Sequence, residues 1–122
     1  MDDELLDFIP LFLREARGRL QRLVGLATLV DGERAALVEA RRELHTLKGA
    51  CRMLRLLTMA EVCHQGEELL DVAGPGTGER LVAILGRFGG LLEDVARDHA
   101  PADDGGGALG VSLAPPVPGN RG

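Results

Sequence analysis

Apolar residues recur three and four positions apart along four successive stretches of this chain, with no convincing strand-like alternation anywhere. That spacing puts them on one side of a helix, so four amphipathic helices have to bury four stripes against one another. The first stripe is Phe8, Phe12, Ala16, Leu20, Leu23 and Ala27, in a segment from about 3 to 30. Pro10 suits a first turn better than a helix interior, so the regular part is expected to begin near Asp7, and Asp31-Gly32 ends it. The second stripe is Leu37, Ala40, Leu44, Leu47, Cys51 and Leu54, in a helix from about 33 to 53.

A third helix, to about 72, opens on Thr58-Met59-Ala60-Glu61, whose pattern predicts a capping box. Its inward residues are expected to be Met59, Val62, Cys63, Gly66, Leu69 and Leu70. "AGPGTG" at 73 to 78 reads as a loop. The fourth helix, about 79 to 99, is striped by Leu81, Ile84, Leu85, Phe88, Leu91, Leu92 and Val95. Gly86, Gly89 and Gly90 weaken it by up to ~1 kcal/mol each, and the sequence leaves open whether they break it. The expected fold is all-α, an antiparallel up-down four-helix bundle over 1–100. Residues 101–122, rich in Gly, Pro and Ala, have the composition of a flexible linker or tail.

The 122 residues suffice for one domain with one core. With three Phe and no Trp or Tyr, that core must be built from aliphatic side chains, as in helix bundles. A net charge of -5 argues against nucleic acid as a partner, and no apolar run approaches the ~20 residues that cross a membrane. "MDDELL" lacks the basic start of a signal peptide, so the cytoplasm is the expected location. Cys51 and Cys63 fall on apolar helical positions and read as small buried residues. With His45 and His64 they show no C-x-x-C or H-x-x-x-H spacing, so no metal is expected.

His45 breaks the pattern of the second helix. At ~100° per residue it lies roughly 130° from the centre of the apolar stripe, on a strip shared with Arg41, Lys48, Gly49 and Arg52. Between Glu39 and Arg55 there are five basic and two acidic residues, a local +3 in an acidic chain. A neutral imidazole can attack a phosphoryl group, and a nearby cation can offset the charge that arrives with it. A mid-helix glycine costs up to ~1 kcal/mol, so Gly49 is expected to serve close approach by a partner. Taken alone, an ordinary surface histidine among basic neighbours is the plainer alternative.

"HTLKGACRML", from His45, resembles the signature H-x-x-K-G of the histidine-containing phosphotransfer (HPt) domain. "HQGEELLD", His64 to Asp71, is similar to that family's pattern H-x-x-E-x-L-L-D at the right distance from His45. The likeness covers about residues 5 to 97. It is greatest to the N-terminal phosphotransfer domain of chemotaxis-type histidine kinases. It implies that His45 accepts the phosphoryl group through Nε2 and that Lys48 sits beside that group. Glu67, with His64 as a further candidate, would hydrogen-bond the imidazole. Gly49 would give clearance to the docking partner. The basic residues Arg41, Arg42, Arg52 and Arg55 are candidates for the docking face, the alternative being that they serve only solubility. Arg55 stands where the family usually has a second glycine, which puts partner specificity in question.

The resemblance therefore implies a phosphorelay module that takes a phosphoryl group from a histidine kinase catalytic domain and passes it to the receiver domain of a response regulator. No independent catalysis is expected of it, and ATP and Mg²⁺ would belong to the partner domains. "AGPGTGER" lacks the G-K-[ST] ending and the preceding strand of a nucleotide-binding loop. The Pro/Gly-rich end suggests the N-terminal part of a longer chemotaxis-like kinase. The rival expectation is a helical adaptor, or a docking module that has kept the shape and lost phosphoryl transfer.

Overall fold

The computed structural model describes residues 3–99, and the proposed tail lies outside them. The described residues form five helices and no strand: α1 (Asp3–Leu6), α2 (Ile9–Ala27), α3 (Arg34–Met53), α4 (Leu57–Asp71) and α5 (Thr77–Asp98). The predicted first helix is thus two. A helix running through Pro10 would drive its ring against the carbonyl of Leu6, so the chain turns at Asp7-Phe8 and restarts with Pro10 in the first turn of α2. Phe8 consequently leaves the predicted stripe: it is 57% exposed, while Ile9 takes the buried position.

The long helices pack in a cycle, α2 on α3, α3 on α4, α4 on α5 and α5 back on α2. Cross-helix partners run in opposite senses, Arg19–Glu43 and Arg22–Glu39 between α2 and α3, Arg41–Asp71 and His45–Glu67 between α3 and α4. Inside the cycle lie Leu23, Leu44, Leu70, Leu81 and Leu92, each at most 2% exposed. Burying a leucine this completely stabilises the fold by about 1.5–3 kcal/mol relative to exposure. Leu20, Leu37, Leu69, Ile84, Leu91 and Val95 are partly buried at the edges of the same core.

Two glycines let helices approach closely. A Cβ on Gly66 would stand 2.8 Å from Cδ1 of Leu44, so α4 rests directly on α3 there. A Cβ on Gly78 would stand 2.3 Å from the carbonyl oxygen of Ala27, which fixes the start of α5 against the end of α2. Gly86, Gly89 and Gly90 do not interrupt α5, because Leu81, Leu85, Phe88 and Leu92 pin it on both sides of them.

The turn from α3 to α4 overrides the predicted capping box. Arg55 takes a left-handed backbone, φ 62°, and the N–H groups of Leu56 and Arg55 donate to the carbonyls of Cys51 and Arg52 at 2.8 and 3.0 Å. This pair of bonds is the Schellman motif, normally closed by glycine. The turn is complete at Leu56, so α4 starts at Leu57. Thr58 falls inside its first turn, where its hydroxyl makes no cap bond.

The predicted loop gives up its last two residues to the helix, since α5 already begins at Thr77. Asp31, from the α2–α3 connection, accepts from the N–H of Gly76 at 3.0 Å and of Gly78 at 2.8 Å. A carboxylate therefore already occupies the anion-attracting start of α5. The glycine-rich stretch is a capped helix start.

Candidate functional site

His45 projects from the middle of α3 with 68% of its side chain exposed. Its Nδ1 lies 3.0 Å from Oε2 of Glu67 on α4, and Glu67 itself is buried. Burial raises the Glu67 carboxyl, but Lys48 and His45 together hold it below its ordinary value of 4.5, so it is ionised near neutral pH. An ionised carboxylate only accepts hydrogen bonds, so Nδ1 carries the proton and donates it. The neutral ring is left with its lone pair on Nε2, on the side away from the carboxylate. One buried acidic residue thus sets both the tautomer and the aim of an exposed imidazole.

Lys48 departs from the sequence reading, which placed it on the solvent-facing strip. Its side chain is only 11% exposed, and Nζ lies 2.5 Å from Oε1 of Glu67. That contact is an ion pair with poor hydrogen-bond alignment, since Oε1 has no well-directed donor. The reason is the buried charge of Glu67, which draws the flexible lysine stem down between α3 and α4. Lys48 is committed to the carboxylate that holds His45.

His64 is not joined to His45 by a hydrogen bond. Its Nε2 lies 3.6 Å from Oε2 of Glu68, and its buried Nδ1 has no hydrogen-bond partner among the described residues. Three residues before Glu67, it lies on the same side of α4, close enough to Asp71 to help lower that carboxylate.

Arg41 does more than the strip suggested. Its Nε donates to Oδ1 of Asp71 at 2.7 Å, and its Nη1 stands 3.7 Å from Oε2 of Glu67, the oxygen that also receives His45. Asp71 is held by this guanidinium below its ordinary range. A signal was available: Arg41 is four residues before His45 and Asp71 four after Glu67, so an antiparallel α3–α4 pair must bring them together.

Of the proposed docking residues, Arg42 borders with Arg34, Arg41 and His45 a groove of about 640 Å³. Gly49 is exposed, with no atom within 4 Å of where a Cβ would stand. Arg52 is exposed on the same helix. Arg55, beyond the end of α3, lines a separate depression with Leu91 and Asp94 of α5, away from the histidine. The sequence reading missed an apolar groove of about 300 Å³ beside the site, lined by Phe8, Leu11, Phe12, Ala50 and Met53 among others. Met53 lies off the predicted stripes, and Phe8 reaches the groove because the break before Pro10 takes it out of its predicted stripe.

Cys51 and Cys63 are both buried, as read. Among the described residues no group of three or more His, Cys, Asp or Glu side chains is placed to hold a metal. Within the same residues no helix is long and apolar enough to cross a membrane.

A helical domain that presents one exposed imidazole, oriented by a buried carboxylate on the neighbouring helix, is built for chemistry at a histidine nitrogen. The chain belongs to the Hpt domain family, which it matches over residues 7–103. It is also 33% identical over 112 residues to a gliding motility regulatory protein of Myxococcus xanthus. That match covers 86% of this chain and 14% of the relative, so the chain spans about one seventh of that protein's length. No solved structure matches it. Domains of this family serve histidine phosphotransfer in two-component signalling, with kinases and response regulators as their classes of partner.

Proposed function

We propose that this domain, an antiparallel up-down bundle, accepts a phosphoryl group on Nε2 of His45 from a kinase domain and passes it to a response-regulator aspartate. The observation that carries this reading is the 3.0 Å contact between Nδ1 of His45 and Oε2 of the buried Glu67, which turns the Nδ1 proton to the carboxylate and, in the neutral ring, leaves the lone pair on Nε2. Lys48 supports the reaction from below, by keeping Glu67 charged and in place. ATP and Mg²⁺ belong to the partner domains, in the cytoplasm. The match to a small part of a larger motility regulator supports a place within a longer, chemotaxis-like kinase. The exposed strip of Arg42, Gly49 and Arg52 and the apolar groove near Phe8 are the surfaces on which partners dock.

The test is phosphorylation with phosphoramidate or the cognate kinase, followed by 31P NMR and mass-spectrometric mapping. Wild type acquires an acid-labile, base-stable label on His45, and His45→Gln acquires none. A wild-type protein that stays unlabelled in the presence of an active kinase removes this reading and leaves a helical adaptor.

A further inference from the structure

We infer that Arg41 is the cation that meets the phosphoryl group on His45. The inference rests on His45 being the acceptor. A phosphoryl group arriving at Nε2 brings negative charge, and stabilisation in the transition state needs a positive donor within reach. Lys48 is poorly placed for that work, because its ammonium is buried against Oε1 of Glu67. Moving it outward would strip the carboxylate of its counter-charge.

Arg41 has what Lys48 lacks. It lies one helical turn before His45 on the same face, and 44% of its side chain is exposed. Its Nη1 is 3.7 Å from the very oxygen that holds Nδ1 of His45. Asp71 parks the guanidinium beside the ring through two hydrogen bonds, Nε to Oδ1 at 2.7 Å and Nη2 to Oδ2 at 3.4 Å, and because both side chains are about half exposed the pair is open to exchange for another anion. A phosphoryl group offers paired oxygens that match the guanidinium fork at least as well as a carboxylate does. The groove bordered by Arg34, Arg41, Arg42 and His45 gives the incoming group its space.

With phosphoramidate as donor, the Nε2 lone pair of His45 forms the new bond to phosphorus as the phosphorus–nitrogen bond breaks. The departing amino group, already protonated, leaves as ammonia. The Nδ1 proton stays on the ring against Glu67, so the positive charge of the phosphorylated imidazole faces the carboxylate. Arg41 releases Asp71 and donates to the phosphoryl oxygens.

The experiment compares initial rates of labelling by phosphoramidate, followed by 31P NMR, in wild type, Arg41→Ala, Arg41→Lys and Asp71→Asn. Folding of each is checked by circular dichroism. Loss of a charge-assisted hydrogen bond to the transition state slows Arg41→Ala about ten- to a hundredfold. Arg41→Lys recovers part of the rate. Asp71→Asn, which frees the guanidinium, labels at the wild-type rate or faster. If Arg41 merely ties α3 to α4, Asp71→Asn slows as much as Arg41→Ala, and the inference is overturned. Arg41→Ala labelling at the wild-type rate overturns it too, while the phosphoacceptor reading stands. Absence of label on wild-type His45 removes that reading itself, a distinguishable result.

Discussion

Lys48 and Glu67 form a buried ion pair, Nζ to Oε1 at 2.5 Å, whose second carboxylate oxygen is the one that orients His45. The residue that the motif places beside the phosphoryl group acts one layer below it. The lysine stabilises the ionised carboxylate, and the carboxylate fixes the ring.

Replacing Glu67 with Gln leaves that ammonium without a counter-charge. The expected loss is about 3 kcal/mol, at the low end for buried pairs because Lys48 keeps some contact with water. The sign of the pH dependence follows from the lowered carboxyl. Its stabilisation is fully present above the ordinary 4.5 and disappears as pH falls through the lower folded-state value. Urea unfolding at decreasing pH should show wild type losing its advantage over Glu67→Gln in that acid window. Parallel curves for the two proteins would contradict the pair.

Gly49 and Gly66 should respond to alanine with opposite signs. Around Gly49 there is open space, so Gly49→Ala gains up to about 1 kcal/mol of helix stability. At Gly66 the new methyl meets Leu44, and overpacking of this kind costs about 1–3 kcal/mol. Thermal unfolding measures both. Gly49→Ala should also transfer poorly to and from protein partners while keeping its rate with phosphoramidate. Unimpaired exchange with the partner would show that the gap serves no docking.

Arg55→Gly is expected to stabilise the protein by about 1 kcal/mol, since the left-handed backbone there strains any side chain with a Cβ. The midpoint in urea should rise with an unchanged slope. A fall would mean that the arginine side chain contributes contacts worth more than the strain.

Asp31→Ala removes the carboxylate oxygens that accept from the N–H groups of Gly76 and Gly78, at an expected loss of about 1 kcal/mol. Hydrogen exchange should accelerate first in the opening turn of α5. Uniform acceleration along the chain would argue against a local cap.

The helical class and the four stripes were legible because helical periodicity is local, and a buried face must repeat with the pitch of its own helix. Leu44, Leu47, Cys51, Leu81 and Leu92 were placed correctly for that reason. His45 was legible as an outward residue by the same arithmetic, whereas the link from His45 to Glu67 came from the resemblance to the family and not from the periodicity. What failed was whatever depends on a neighbouring element. Thr58 lost its cap because the turn at Arg55 finished earlier than a capping box requires. Phe8 lost its core place to the break before Pro10. Lys48 left the surface because a carboxylate on another helix drew it in, and Arg41 gained Asp71 in the same way. The sequence by itself determined which faces are buried and which histidine stands out. Only the tertiary structure decided where the cations go, because a long charged side chain follows the nearest opposite charge across space and not the angle at which its own helix presents it.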